Sequence, residues 1–206
     1  LSRLATRLVV LFLPVAPACL VYTAGTDLPE PAAEHRVERS TPQRGTSRET
    51  TWKVQADGGQ VRDGPERERA EDGTLLAERL FQAGRPAGTW RTWYRDGSPR
   101  SQIELGDGTT LGWHRFWHPG GILAAEGQAR GEVREGPWQF WDAEGNLERA
   151  GPFVGGRRHG WWTLWEGGRK VAEGRYEHGA RSGSWTLWDE QGEAHVRGAI
   201  EDGSAY

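Results

Sequence analysis

The stretch Gly136-Pro137-Trp138-Gln139-Phe140-Trp141-Asp142-Ala143-Glu144-Gly145-Asn146-Leu147-Glu148-Arg149-Ala150-Gly151-Pro152-Phe153-Val154-Gly155-Gly156 holds one whole unit of a repeating pattern. Trp138 to Trp141 reads as a strand, Asp142 to Gly145 as a turn, and Asn146 to Phe153 as a returning strand that ends at Gly155-Gly156. The leading glycine recurs as Gly64, Gly88, Gly112, Gly136, Gly160 and Gly183, at intervals of 24, 24, 24, 24 and 23 residues. Two positions after it stand Trp90, His114, Trp138, Trp162 and Trp185; five after it stand Trp93, Trp117, Trp141, Trp165 and Trp188. The first copy carries Glu66 and Arg69 at those places. A second glycine follows at plus nine (Gly73, Gly97, Gly121, Gly145, Gly192), one residue early at Gly168 in the short fifth copy. A fixed period of this kind marks a repeat array, in which each unit buries its apolar face only when a neighbour stacks on it.

Glycine every few residues excludes long helices. Asp-Gly pairs such as Asp72-Gly73, Asp96-Gly97 and Asp107-Gly108 favour the positive φ angles of tight turns. The expected fold is therefore all-β: an elongated single-layer antiparallel sheet of stacked β-hairpins, with about six units of 23–24 residues. Successive side chains of a strand point to opposite faces, so plus two and plus four share a face: Trp90/Thr92, His114/Phe116, Trp138/Phe140, Trp162/Leu164, Trp185/Leu187. Without a bulge, the plus-five tryptophans face the other way. The returning strands add Phe81, Leu105, Ala129, Phe153, Tyr176 and Ile200, four of them two residues beyond Gly127, Gly151, Gly174 and Gly198. Those glycines let a neighbouring indole lie flat on the backbone.

The pattern Gly-x-Trp-x-x-Trp-x-x-x-Gly, followed by Gly-x-aromatic, resembles the MORN repeat (membrane occupation and recognition nexus), in the Trp-rich bacterial form of YwqK-family antitoxins. The resemblance covers about residues 64 to 206, with a partial unit from Trp52. It implies an elongated, twisted sheet of stacked hairpins, a role in protein interaction and, in some members, contact with phospholipid.

Ahead of the array, Arg3 and Arg7 precede the apolar run Leu8 to Leu13, and Ala16-Pro17-Ala18 leads into Cys19, the single cysteine. This order is that of a secretory signal over residues 1–18. Cys19 stands where bacterial lipoproteins carry their lipidated cysteine, although the same residues suit plain signal cleavage. A third reading is an uncleaved anchor from Leu8 to Ala24, against which Pro14 and Pro17 argue. All three place the domain outside the cytoplasm, at the cell envelope and, on the first reading, lipid-anchored to a membrane surface. Residues 19–50 read as a disordered tether rich in Pro, Glu, Arg, Ser and Thr, and residues 51–206 as the repeat domain. The polar Gly64 copy reads as its terminal cap.

The chain has 206 residues, 12 tryptophans and a formal net charge of −3. Without residues 1–18 it keeps 24 basic against 29 acidic side chains, which argues against nucleic acid as partner. A lone cysteine forms no intrachain disulfide. No catalytic constellation and no cofactor motif stand out, and no metal site is expected. His114 and His118, four apart, lie roughly 13 Å from each other on a strand, too far to share a zinc. His159 and His178 each fall before a repeat glycine, in loops, and Ser182 and Ser184 lack the nucleophile-elbow motif. The plus-two indoles are read as core. The plus-five indoles Trp93, Trp117, Trp141, Trp165 and Trp188, with Arg91 and Arg115 at the rim, are the candidate binding row. The expected function is a non-catalytic scaffold that binds another protein through this aromatic face. The alternatives are a toxin-neutralising antitoxin or immunity protein, and a phospholipid or glycan binding module.

Overall fold

The protein is described from a computed structural model, over residues 34–43, 45–105 and 111–197. Residues 1–33, with the signal and Cys19, lie outside the described residues, as do Asp107-Gly108, Gly198 and Ile200.

The described chain forms one open antiparallel sheet. Its strands are β1 (His35–Ser40), β2 (Thr46–Val54), β3 (Gln60–Ala70), β4 (Leu75–Gln82), β5 (Arg85–Trp93), β6 (Pro99–Leu105), β7 (Gly112–Trp117), β8 (Leu123–Arg130), β9 (Val133–Trp141), β10 (Leu147–Val154), β11 (Arg157–Arg158), β12 (Gly160–Glu166), β13 (Arg169–Glu177), β14 (Ala180–Trp188) and β15 (Ala194–Arg197). They pair in sequence order from β1 to β15, and the two-residue β11 pairs only with β10. Each repeat is thus one hairpin laid beside the previous one, as its sequence period requires.

The turns explain the plus-nine glycine. In the second copy the Tyr94 amide donates to the Ser98 carbonyl at 2.9 Å and the Gly97 amide donates to the Tyr94 carbonyl at 3.0 Å. The same bonds recur at Ala70–Thr74, His118–Ile122, Asp142–Asn146 and Asp189–Glu193. Closing this turn needs a left-handed residue, and Gly97 supplies it at φ 83°. The fifth copy loses one residue here and turns on Gly167 and Gly168, both at positive φ, which accounts for the shorter interval and the early glycine.

Trp138, Trp162 and Trp185 are each only 1% exposed, a low value for residues of a single sheet. They achieve it by lying flat on the strand beside them. A Cβ on Gly127, Gly151 or Gly174 would overlap the ring atoms of Trp138, Trp162 or Trp185 respectively, so each indole occupies the space that a side chain would fill. The Trp138 Nε1–H donates to the Gln128 carbonyl at 2.7 Å and the Trp162 Nε1–H to the Pro152 carbonyl at 3.0 Å, which ties each copy to the one before. Phe116, Trp138, Phe140 and Trp162 stack in sequence at centroid distances of 6.5, 5.9 and 6.3 Å. Phe153 and Tyr176 meet the same rings edge-on. The plus-two and plus-four positions are therefore the core, on what we call the inner face.

Two expectations are corrected. The sheet extends ahead of residue 51, because β1 and β2 occupy most of 35–54, part of the stretch read as a tether. These strands hold few apolar residues, and their side chains pair by charge: Arg39 with Glu49 at 2.7 Å and Arg48 with Glu68 at 2.9 Å. The Gly64 copy is consequently not a terminal cap, since β2 and β1 continue the sheet beyond it. Its Glu66 replaces the core tryptophan, is 3% exposed, and lies 3.1 Å from Arg79 and 3.6 Å from Arg62, with Thr50 Oγ1 donating to it.

Candidate binding faces

The outer face is built from plus one, plus three and plus five of each copy. At plus three the register joins directly opposed residues into one row. It runs Arg39, Glu49, Arg67, Glu78, Arg91, Gln102, Arg115, Glu126 and Gln139 from β1 to β9. Opposite charges alternate along much of it, with ion pairs of 2.9 Å between Arg67 and Glu78 and 3.1 Å between Arg115 and Glu126. Such exposed pairs add little stability, but cross-strand matching of this kind disfavours a slipped register. Arg91 is exposed; Arg115 is half-buried and holds its guanidinium 5.7 Å from the Trp113 ring.

Trp93, Trp117, Trp141, Trp165 and Trp188 are all half-buried. Each sits at the mouth of its hairpin, opposite Pro99, Leu123, Leu147, Lys170 and Ala194 respectively. In the first four of these copies the returning strand bulges there by one residue. The Lys170 ammonium covers the Trp188 ring at 4.9 Å. Their backbones are links between copies: Tyr94 Oη–H donates to the Trp117 carbonyl at 2.7 Å, and His118 Nε2 meets the Trp141 carbonyl at 2.9 Å. The five indoles form a partly covered floor.

The most open indoles are two that the repeat pattern passes over. Trp161 is 60% and Trp113 39% exposed, both at plus one, where other copies place Pro65, Thr89, Pro137 and Ser184. Four strand steps separate them, roughly 19 Å. Alternation along β7 and β12 was the available signal, because a residue next to a core tryptophan must face outward.

The inner face carries a second unforeseen row. Arginine occurs two positions before the repeat glycine at Arg62, Arg134, Arg158 and Arg181, and each guanidinium lies over the aromatic core. The closest approaches are 4.9 Å from Arg62 to Phe81, 4.8 Å from Arg134 to Trp138, 4.5 Å from Arg158 to Tyr176 and 4.4 Å from Arg181 to Trp185. His114 takes the tryptophan's place in the core row at 7% exposure, and burial, helped by the Arg134 charge, holds its pKa below the usual histidine value. His159 and His178 adjoin at 5.8 Å between ring centres, in the loops expected for them. Among the described residues no three His, Cys, Asp or Glu side chains gather as a metal ion would need.

This hairpin can be compared with known repeats. Residues 134–154 match the family model described as the MORN repeat variant. The match begins at the ring-capping Arg134 and ends with β10, so it contains the turn, the bulge and the Trp138 and Gly151 partners of two neighbouring stacks. Beyond this one MORN-like unit, the hairpin before it and the β14–β15 hairpin reuse the same turn bonds, and the indole-on-glycine contact recurs at Trp162 and Trp185. No curated protein matches the chain.

Proposed function

We infer that this protein is a non-catalytic scaffold at the cell envelope, whose MORN-like sheet recognises another protein through its outer face. The observation that carries this reading is Trp161, an indole 60% exposed on an interior strand of the sheet. It costs stability to leave so large an apolar group in water, and indoles are enriched among the few residues that dominate protein interfaces. Trp113 repeats the arrangement, with Arg91 and Arg115 in the adjacent row and the half-buried plus-five indoles behind. The binding set is thus Trp113 and Trp161 as anchors, Arg91 and Arg115 as polar rim, and Trp117, Trp141 and Trp165 as floor. The envelope location rests on the basic, apolar and small-residue order that ends at Cys19.

The test is crosslinking and affinity capture from envelope extracts, comparing wild type with Trp113→Ala/Trp161→Ala. Partners recovered with wild type should be lost from the double variant at unchanged fold. Equal recovery would remove the outer face from the account.

A further inference from the structure

The inner face divides into two electrostatic halves. At the N-terminal end the arginine at minus two has a carboxylate built in: Arg62 lies 3.6 Å from Glu66, Arg79 3.1 Å from Glu66, and Arg48 2.9 Å from Glu68. In the three C-terminal copies the same position holds Arg134, Arg158 and Arg181, and among the described residues no ion pair joins any of them to a carboxylate. Their partners are ring faces, with one hydrogen bond from Arg158 Nη1 to Tyr176 Oη at 2.9 Å. A ring face holds a cation in place but leaves its charge uncompensated.

Around Phe140 the excess is greatest. Arg134 and Arg149 lie 5.4 and 4.5 Å from its centroid, and burial together with the Arg149 charge lowers the Arg134 pKa. Among the described residues Arg149 meets a carboxylate only at the exposed Glu148, 3.2 Å away. With Phe116 and His118 these residues line a shallow cleft of about 330 Å³. Arg62 has its carboxylate because Glu66 stands where the later copies keep a core tryptophan, and in those copies Arg134, Arg158 and Arg181 face rings with no acid of the sheet to pair with among the described residues. The missing counter-charge points to one supplied by a ligand.

The spacing narrows the ligand. Arg134, Arg158 and Arg181 occupy the same place in consecutive hairpins, two strand steps or roughly 10 Å apart. A polyproline II chain has three residues per turn and rises about 3.1 Å per residue, so every third side chain points the same way at intervals of about 9 Å. The arginines form a line one residue wide, which suits a single extended chain better than a broad charged surface. We propose that the inner face of the three C-terminal copies binds an extended acidic polypeptide in the polyproline II conformation, which presents one carboxylate to each of Arg134, Arg158 and Arg181. Each contact is an arginine–carboxylate hydrogen-bonded pair on an aromatic floor. This site is separate from the outer face and does not depend on it.

The experiment is fluorescence anisotropy of the full chain with labelled (Glu-Pro-Pro)₃, using (Gln-Pro-Pro)₃ and (Glu-Pro-Pro-Pro)₃ as comparisons. The first peptide should bind, and binding should weaken steeply with added salt. The glutamine peptide should not bind, and the four-residue spacing should bind more weakly. Arg158→Gln should weaken binding about tenfold or more, the loss of one charge-assisted contact. Arg134→Gln/Arg158→Gln/Arg181→Gln should abolish it. Arg91→Gln and Trp113→Ala/Trp161→Ala, on the outer face, should leave it unchanged. Equal binding of the glutamate and glutamine peptides, indifference to spacing, or full binding by the triple variant would each overturn the proposal. So would phosphatidylglycerol vesicles, if they bound in an arginine-dependent way while the peptides did not. If a glutamine variant failed to fold, the comparison of the three peptides on wild type would still decide.

Discussion

Gly151→Ala is the sharpest perturbation of the packing described above. The φ of Gly151 is not in the left-handed region, so alanine meets no backbone obstacle there, and in an ordinary strand the change would stabilise by about 0.5–1 kcal/mol. Here the new methyl overlaps Cγ, Cδ2 and Cε2 of Trp162, whose indole is 1% exposed and fixed by its bond to the Pro152 carbonyl at 3.0 Å. The ring must tilt away, at about 1–3 kcal/mol for overpacking, and the bond is strained or lost at roughly 1 kcal/mol more. A net loss of about 1–3.5 kcal/mol is expected once the backbone gain is set against these two costs, read as a lower urea midpoint at unchanged slope. The chain itself contains the compensated version of this pair. Opposite His114, at the place of the glycine, stands Ile103. Gly151→Ala/Trp162→His should therefore cost less than the sum of its single changes, by about 1 kcal/mol or more in a double-mutant cycle. A neutral or stabilising Gly151→Ala, or strict additivity, would refute the idea that these glycines exist to seat indoles.

Trp162→Ala should cost about 3–5 kcal/mol in denaturant titration and Trp185→Ala less, because among the described residues Trp162 packs against the rings of Phe140, Phe153 and Tyr176 and Trp185 against that of Tyr176. Because the folded-state pKa of His114 is depressed, the unfolded chain binds the proton first; stability should be full above the ordinary histidine value near 6.5 and fall as pH drops below it. His114→Phe should flatten that part of the stability profile, measured by thermal melts between about pH 7.5 and 5. Cys19→Ser should abolish lipid labelling and release the protein from the membrane fraction without changing the melting temperature of the sheet; retention in the membrane fraction would favour the uncleaved anchor from Leu8 to Ala24 instead.

What the sequence discloses is whatever recurs with its period. Gly97 and its equivalents mark the turns, the Trp138, Trp162 and Trp185 series marks the core, and Gly127, Gly151 and Gly174 mark where the rings rest. Each reflects one constraint met again in every hairpin. β1 and β2 escape because Arg39, Glu49, Arg48 and Glu68 stabilise strands by charge pairing, which leaves a polar sequence without apolar alternation. The minus-two arginines do recur, but an arginine over a ring looks like any surface cation until the ring beneath is located. Trp113 and Trp161 are hidden for the opposite reason. They depart from the repeat at a position occupied elsewhere by Pro, Thr or Ser, and a reading tuned to the period discards such departures. The plus-five row is legible from its spacing, but the half-burial of its indoles is not.

The claim that the outer face is where a partner docks is tested most directly by site-specific photo-crosslinking. A benzophenone side chain would replace Trp161 or Trp113 in turn, with the exposed Arg36 on the edge strand β1 as the comparison, and the exported protein would be irradiated in intact envelopes. A discrete protein adduct of the same mass from positions 161 and 113, absent at 36, is the expected result. Adducts from position 36 alone, or none from 161 and 113 in a folded protein, would contradict the account.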